Sequence, residues 1–146
     1  MSAAPTVSEM MAAYAQGAVD HARAQGVTLD FSHESVRAVE GLLAVMHEAR
    51  PKGLLSRLLS RGPSQETLLT LAKMYGGYVG EVLRRTSSGE WYLDQEVVPG
   101  HATIGLRSGE QRIWPPAKAG KRIVNGPEDN IWHYFQVVAR DWPGAV

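Results

Sequence analysis

The sequence predicts an α+β fold in which helices pack around one small three-stranded antiparallel sheet. Three observations carry that expectation: apolar residues at helical spacing through several long segments, short alternating segments between Glu90 and Trp114, and capping residues, glycines and prolines punctuating the joints. A single domain is expected over 1–146, with a helical part at about 6–85, the sheet at about 90–114 and C-terminal helices at about 117–142.

Thr6-Val7-Ser8-Glu9 is a capping-box pattern, so a first helix is expected over residues 7–25, with Val7, Met10, Met11, Tyr14 and Ala18 inward and Gly26 as its stop. Val27, Leu29 and Phe31 alternate with polar residues, which suits a short strand or an extended connector. Ser32 is placed to cap a second helix whose stripe is Val36, Val39, Leu43 and Met46, and Pro51 requires that helix to end before it. Between Pro51 and Pro63 stands a tandem repeat, Leu54-Leu55-Ser56-Arg57 and Leu58-Leu59-Ser60-Arg61. On a helix its four leucines share one side, and the expectation is a connector covering the core. Docking of a partner through Arg57 and Arg61, or attachment to a membrane surface, are the alternatives.

Ser64 caps the central helix, expected over residues 65–85. Leu68, Leu71, Ala72, Tyr75, Val79, Val82 and Leu83 form its stripe, while Gly76, Gly77 and Gly80 each cost about 1 kcal/mol against alanine inside a helix. Something must repay that cost. Ala72, Gly76 and Gly80, spaced four apart, are expected to form a flat strip on which another element packs against the backbone. After a Thr86–Gly89 exit turn, Trp91 and Leu93 alternate with Tyr92; Ala102, Ile104 and Leu106 alternate after a Pro99-Gly100 turn; and Ser108-Gly109 closes a hairpin onto Gln111–Trp114 with Ile104 facing Ile113. Pro115-Pro116 is expected to end the sheet, followed by a short helix over 117–124. A last helix begins at Asn125-Gly126-Pro127-Glu128-Asp129 and turns Ile131, Trp132, Phe135, Val138 and Trp142 inward.

Fifteen basic and fifteen acidic residues balance to a formal charge of zero, which removes the broad attraction that nonspecific nucleic-acid binding uses, so no nucleic-acid partner is expected. The absence of cysteine excludes disulfides, thiolate metal sites and cysteine nucleophiles. No apolar run approaches the roughly 18 residues of a membrane span, and the N-terminus lacks a signal-peptide pattern; a cytoplasmic location without integral membrane association is expected.

The five histidines are never three or four apart, and no phosphate loop, dinucleotide loop or nucleophile elbow is present, so no metal and no cofactor is expected. Glu81 is the carboxylate of most interest. Ion pairs with Arg84 and Arg85 on the helix surface are the expectation, with partial enclosure if another element packs over Gly77. Lys118, Lys121 and Arg122 put three positive charges on the short helix after the sheet, enough to receive an acidic partner or a phosphate.

Tyr75-Gly76-Gly77-Tyr78-Val79-Gly80-Glu81-Val82, with Gly89-Glu90-Trp91, resembles a family of small bacterial proteins of unknown function that share a Gly-x-Tyr-Val/Leu-Gly-Glu-Val helix leading to a Gly-x-Trp strand. The likeness reaches from about residue 71 to 134 and implies no reaction; some relatives of that family look like immunity or accessory proteins encoded near toxins.

The functional expectation is a noncatalytic bacterial protein-interaction domain, in its narrower form an immunity-type protein, with a protein partner meeting Glu81, Arg84, Arg85, Arg57, Arg61, Lys121 and Arg122. The alternative is a small-molecule-binding protein or hydrolase whose site is assembled from separated residues such as Glu81, His101 and His133.

Overall fold

The structure, a computed structural model, describes residues 4–50 and 64–144. The order along the chain is α1 (Val7–Ala24), α2 (Ser35–Glu48), α3 (Gln65–Thr86), β1 (Glu90–Val98), β2 (His101–Ser108), β3 (Gln111–Ile113), α4 (Pro115–Asn125), a 3-10 turn (Pro127–Asp129) and α5 (Ile131–Asp141). It is an α+β fold with helices around a three-stranded antiparallel sheet of order β1-β2-β3. The leucine and arginine repeat, with Arg57 and Arg61, lies outside the described residues.

The caps set the helix starts. Thr6 Oγ1 accepts the Glu9 N–H at 3.1 Å and Ser64 Oγ accepts that of Thr67 at 3.1 Å, each satisfying a donor that the first turn leaves free. Gly26, at φ 81°, takes the left-handed conformation just past α1. The inner face of α1 is rotated from the one expected: Met11, Ala15, Ala18, Val19 and Ala22 are buried, whereas Val7 and Tyr14 sit at its margin. Val27–Phe31 forms a connector, not a strand. Ser32 caps a tight turn, its Oγ accepting the Ser35 N–H at 3.1 Å, and regular helix begins only at Ser35.

α3 is the central element, buried on every side from Tyr75 to Leu83. The glycine strip works as expected. A Cβ on Gly76 would stand 2.3 Å from the Pro116 Cα and 2.6 Å from the Pro115 carbonyl carbon, so the start of α4 packs backbone to backbone on α3. A Cβ on Gly80 would stand 2.2 Å from the Trp91 indole, and Ala72 meets Gly120 of α4. Gly77 faces Met11 of α1. Three helical glycines are therefore repaid by contact with three different elements.

The sheet departs from the expected register by two residues. Trp91 pairs with Leu106 and Leu106 with Ile113, while Ile104 faces Leu93. The β2–β3 loop is Gly109-Glu110, not Ser108-Gly109: Ser108 pairs with Gln111, and Gly109 at φ 57° takes the first central position, where a type II′ turn wants glycine. The row Trp91–Leu106–Ile113 faces the helices and is buried, but Leu93, expected inward, is 48% exposed. Tyr92 is buried on the opposite face, over Gly105, whose missing side chain makes room for the ring.

The sheet ends before Pro115 as expected, but the helix starts at Pro115 and not at 117: the two prolines are the first residues of α4, where a missing N–H costs nothing. Pro127, Glu128 and Asp129 form the separate 3-10 turn, and α5 is capped by Asn130, whose Oδ1 accepts the His133 N–H at 2.8 Å. Ile131, Phe135 and Trp142 are buried against the core, with Trp132 and Val138 at its edge.

Candidate interaction surface

Glu81 is not a solvated surface carboxylate: only 1% of its side chain is exposed. Its Oε2 accepts the Trp91 Nε1–H at 2.9 Å and the Arg84 Nε–H at 2.5 Å; Oε1 accepts from Arg84 Nη2 at 3.1 Å and Arg85 Nε at 3.2 Å. Burial pushes its pKa up, but the bonds to Arg84 and Trp91 and the charges of both arginines outweigh that and hold it below the ordinary carboxylate value. The local sequence explains the geometry. Gly80 admits the Trp91 ring onto the helix, which brings the indole N–H to the carboxylate one residue on. Gly80-Glu81 and Trp91 are thus the two halves of a packing lock. Arg84 and Arg85 are held by that lock with about 40% of each side chain exposed, and Arg85 also lies over the Phe31 ring at 3.9 Å.

No hydrogen bond among the described residues joins Glu81, His101 and His133, the trio of the alternative reading. His101 stands exposed at the tip of the β1–β2 hairpin, and His133 is exposed on α5. Among the described residues no group of three His, Asp or Glu side chains is placed to hold a metal ion, and no helix is long and apolar enough to cross a membrane.

The basic helix α4 divides its charges. Arg122 is not a receiving cation; it is buried, and its Nε and Nη2 bond the Glu40 carboxylate of α2 at 2.9–3.0 Å. Lys118 pairs with Asp129 at 3.0 Å and lies over the Tyr134 ring at 5.2 Å. Lys121 remains exposed, one turn beyond Lys118, and faces a cleft of about 430 Å³ walled by Trp114 and Tyr134 and edged by Arg112. Arg112 and Lys121 form no ion pair among the described residues.

Strand alternation places Tyr92, Asp94, Arg107, Arg112 and Trp114 on one face of the sheet. Asp94 fixes this face: it accepts the Tyr92 O–H at 3.0 Å, the Trp114 Nε1–H at 3.1 Å and the Glu96 N–H at 2.9 Å. The Glu96 N–H is the leading cause that draws its pKa below the usual value, against the raising effect of burial. Trp114 is therefore held in place, and Arg107 and Arg112 stand 4.5 and 5.8 Å from the centre of the Tyr92 ring. Burial raises the Tyr134 pKa to about 12, so the opposite wall stays a neutral phenol. Arg112, Trp114 and Tyr134 were absent from the residues expected at a site, although placing Ile113 inward already turns Arg112 and Trp114 outward together.

A second cleft, of about 360 Å³, lies between the first turns of α3, the start of β2 and α4. Its lining is mainly apolar, with Leu68, Leu69, Ile104 and Val124 in the walls and Lys73 at the margin. Comparison with protein-family models, curated proteins and solved structures finds no match to the chain.

Proposed function

We propose that this protein is a noncatalytic interaction domain that holds an acidic surface of a partner protein against the cleft between β3, α4 and α5. One observation carries the reading: Arg112, Lys118 and Lys121 surround an accessible cleft whose walls, Trp114 and Tyr134, are fixed by internal contacts and whose lining contains no carboxylate among the described residues. Asp129 pairs directly with Lys118 and its charge also reaches Lys121; Arg112 and Lys121 are the exposed cations of the cleft. Preplaced aromatic walls and arginine are the side chains that most often dominate protein interfaces, because they bury much area with little loss of rotamer freedom. Arg84 and Arg85, steadied by Glu81, offer a second positive edge at the end of α3.

Affinity capture from the native host tests this, with wild-type protein and the Arg112→Glu/Lys121→Glu variant as baits. The expected result is a protein retained by wild type at low ionic strength, retained about tenfold less by the variant and released by salt. Equal capture by both baits, or capture that salt does not affect, overturns the reading. In its narrower form the partner is a cognate toxin occluded by this bacterial protein. Coexpression with the product of the adjoining gene is then expected to restore growth with wild type and not with the variant; an adjoining product that is harmless alone contradicts the narrower form.

A further inference from the structure

The basic and apolar clefts adjoin. Thr103 of β2 and Ala117 of α4 belong to the walls of both, so the apolar cleft at Leu69 and Val124 and the basic cleft at Lys121 and Arg112 lie side by side along α4. The two differ in chemistry. At the apolar end Leu69 is 52% and Val124 48% exposed, large side chains that gain by being covered. At the other end stand the two cations without an ion-pair partner among the described residues.

Resting on the interaction reading above, we infer that these adjoining clefts together receive one amphipathic acidic segment of the partner, with apolar side chains between α3 and α4 and acidic side chains at Arg112 and Lys121. The dimensions suit a short peptide. Lys121 and Val124 stand one turn apart on α4, a rise of about 5 Å, so neighbouring side chains of an extended segment at about 3.3 Å per residue reach both. The two anchors complement each other: apolar burial supplies most of the affinity, and the cations fix direction and reject basic sequences. A purely acidic surface would leave Leu69 and Val124 uncovered, and a purely apolar one would desolvate Arg112 and Lys121 without compensation.

Selection from a random dodecapeptide library displayed on phage, with the intact protein as target, tests the inference. The enriched peptides are expected to join an apolar pair to acidic residues a few positions away. One such peptide, synthesised and labelled, is expected to lose about tenfold in affinity on Leu69→Asp and again on Arg112→Glu/Lys121→Glu. Both changes lie at exposed positions, and circular dichroism checks that each variant is folded. Enriched acidic peptides that ignore Leu69→Asp overturn the amphipathic segment and leave the acidic-partner reading standing. Apolar peptides that ignore the charge reversal overturn both. If nothing is enriched, the clefts do not take a short segment and the inference is lost, while the capture experiment still decides the broader reading.

Discussion

Glu40→Ala is expected to lower the unfolding free energy by about 4 kcal/mol. Glu40 joins three elements: from α2 it accepts the Arg122 Nε–H and Nη2–H of α4 and, at 2.9 Å, the backbone N–H of Ile131 that opens α5. Arg122 is 3% exposed, and its Nη1 has no protein partner, so removal of the carboxylate leaves a buried guanidinium without its counter-charge. The loss combines an uncompensated buried cation with an orphaned backbone donor. Glu40→Leu/Arg122→Met, which removes both charges and keeps apolar volume, is expected to recover more than half of it. Denaturant unfolding measures both. Glu40→Ala within about 1 kcal/mol of wild type would show that the pair contributes nothing specific.

Glu81→Ala is expected to cost about 3 kcal/mol, because it strands the buried Trp91 indole N–H and removes the acceptor that steadies Arg84 and Arg85. Glu81→Gln keeps the shape and isolates the charge. The folded-state carboxyl titrates below its ordinary value of 4.5, so its charge-linked stabilisation is fully present above that pH and is lost as pH falls through the lower, folded value. The stability difference between wild type and Glu81→Gln should therefore be constant near neutrality and shrink toward zero in acid. A difference independent of pH, or one that grows in acid, would contradict the assignment of Glu81 as a carboxylate paired in the folded state.

Much of the architecture was legible because it is written locally. The caps at Thr6 and Ser64 and the stripes of α2 and α3 follow from patterns within one or two turns, and the glycine strip announced close packing before any neighbour was known. What escaped depends on distant residues. How far cover extends along a strand depends on the helices packed on it, so Trp91, seated on Gly80, is buried and Leu93 is not, although both obey the same alternation. The burial of Glu81 required knowing that the indole of Trp91 returns to Gly80. Lys118, Lys121 and Arg122 read alike as a basic run; only the placement of Glu40 and Asp129 distinguishes the internal ion pairs from the outward charge. The candidate site is legible in part for the same reason: Lys121 stands out in the basic run, but Arg112 and Trp114, at and just after β3, and Tyr134, on α5, meet it only through the fold.

Both clefts exist because α4 is pressed onto the backbone of α3 at Gly76, and substitution there tests that contact directly. Unfolding of Gly76→Ala should be compared with that of Gly41→Ala, since a methyl group at Gly41 meets nothing within 4 Å whereas at Gly76 it meets the Pro116 backbone at 2.3 Å. Each alanine returns up to about 1 kcal/mol of helix propensity. Gly41→Ala is therefore expected to stabilise by about that amount, and Gly76→Ala to destabilise by about 2 kcal/mol as the two helices are forced apart. Gly76→Ala as stable as wild type, or more so, would contradict the contact and the placement of α4 that depends on it.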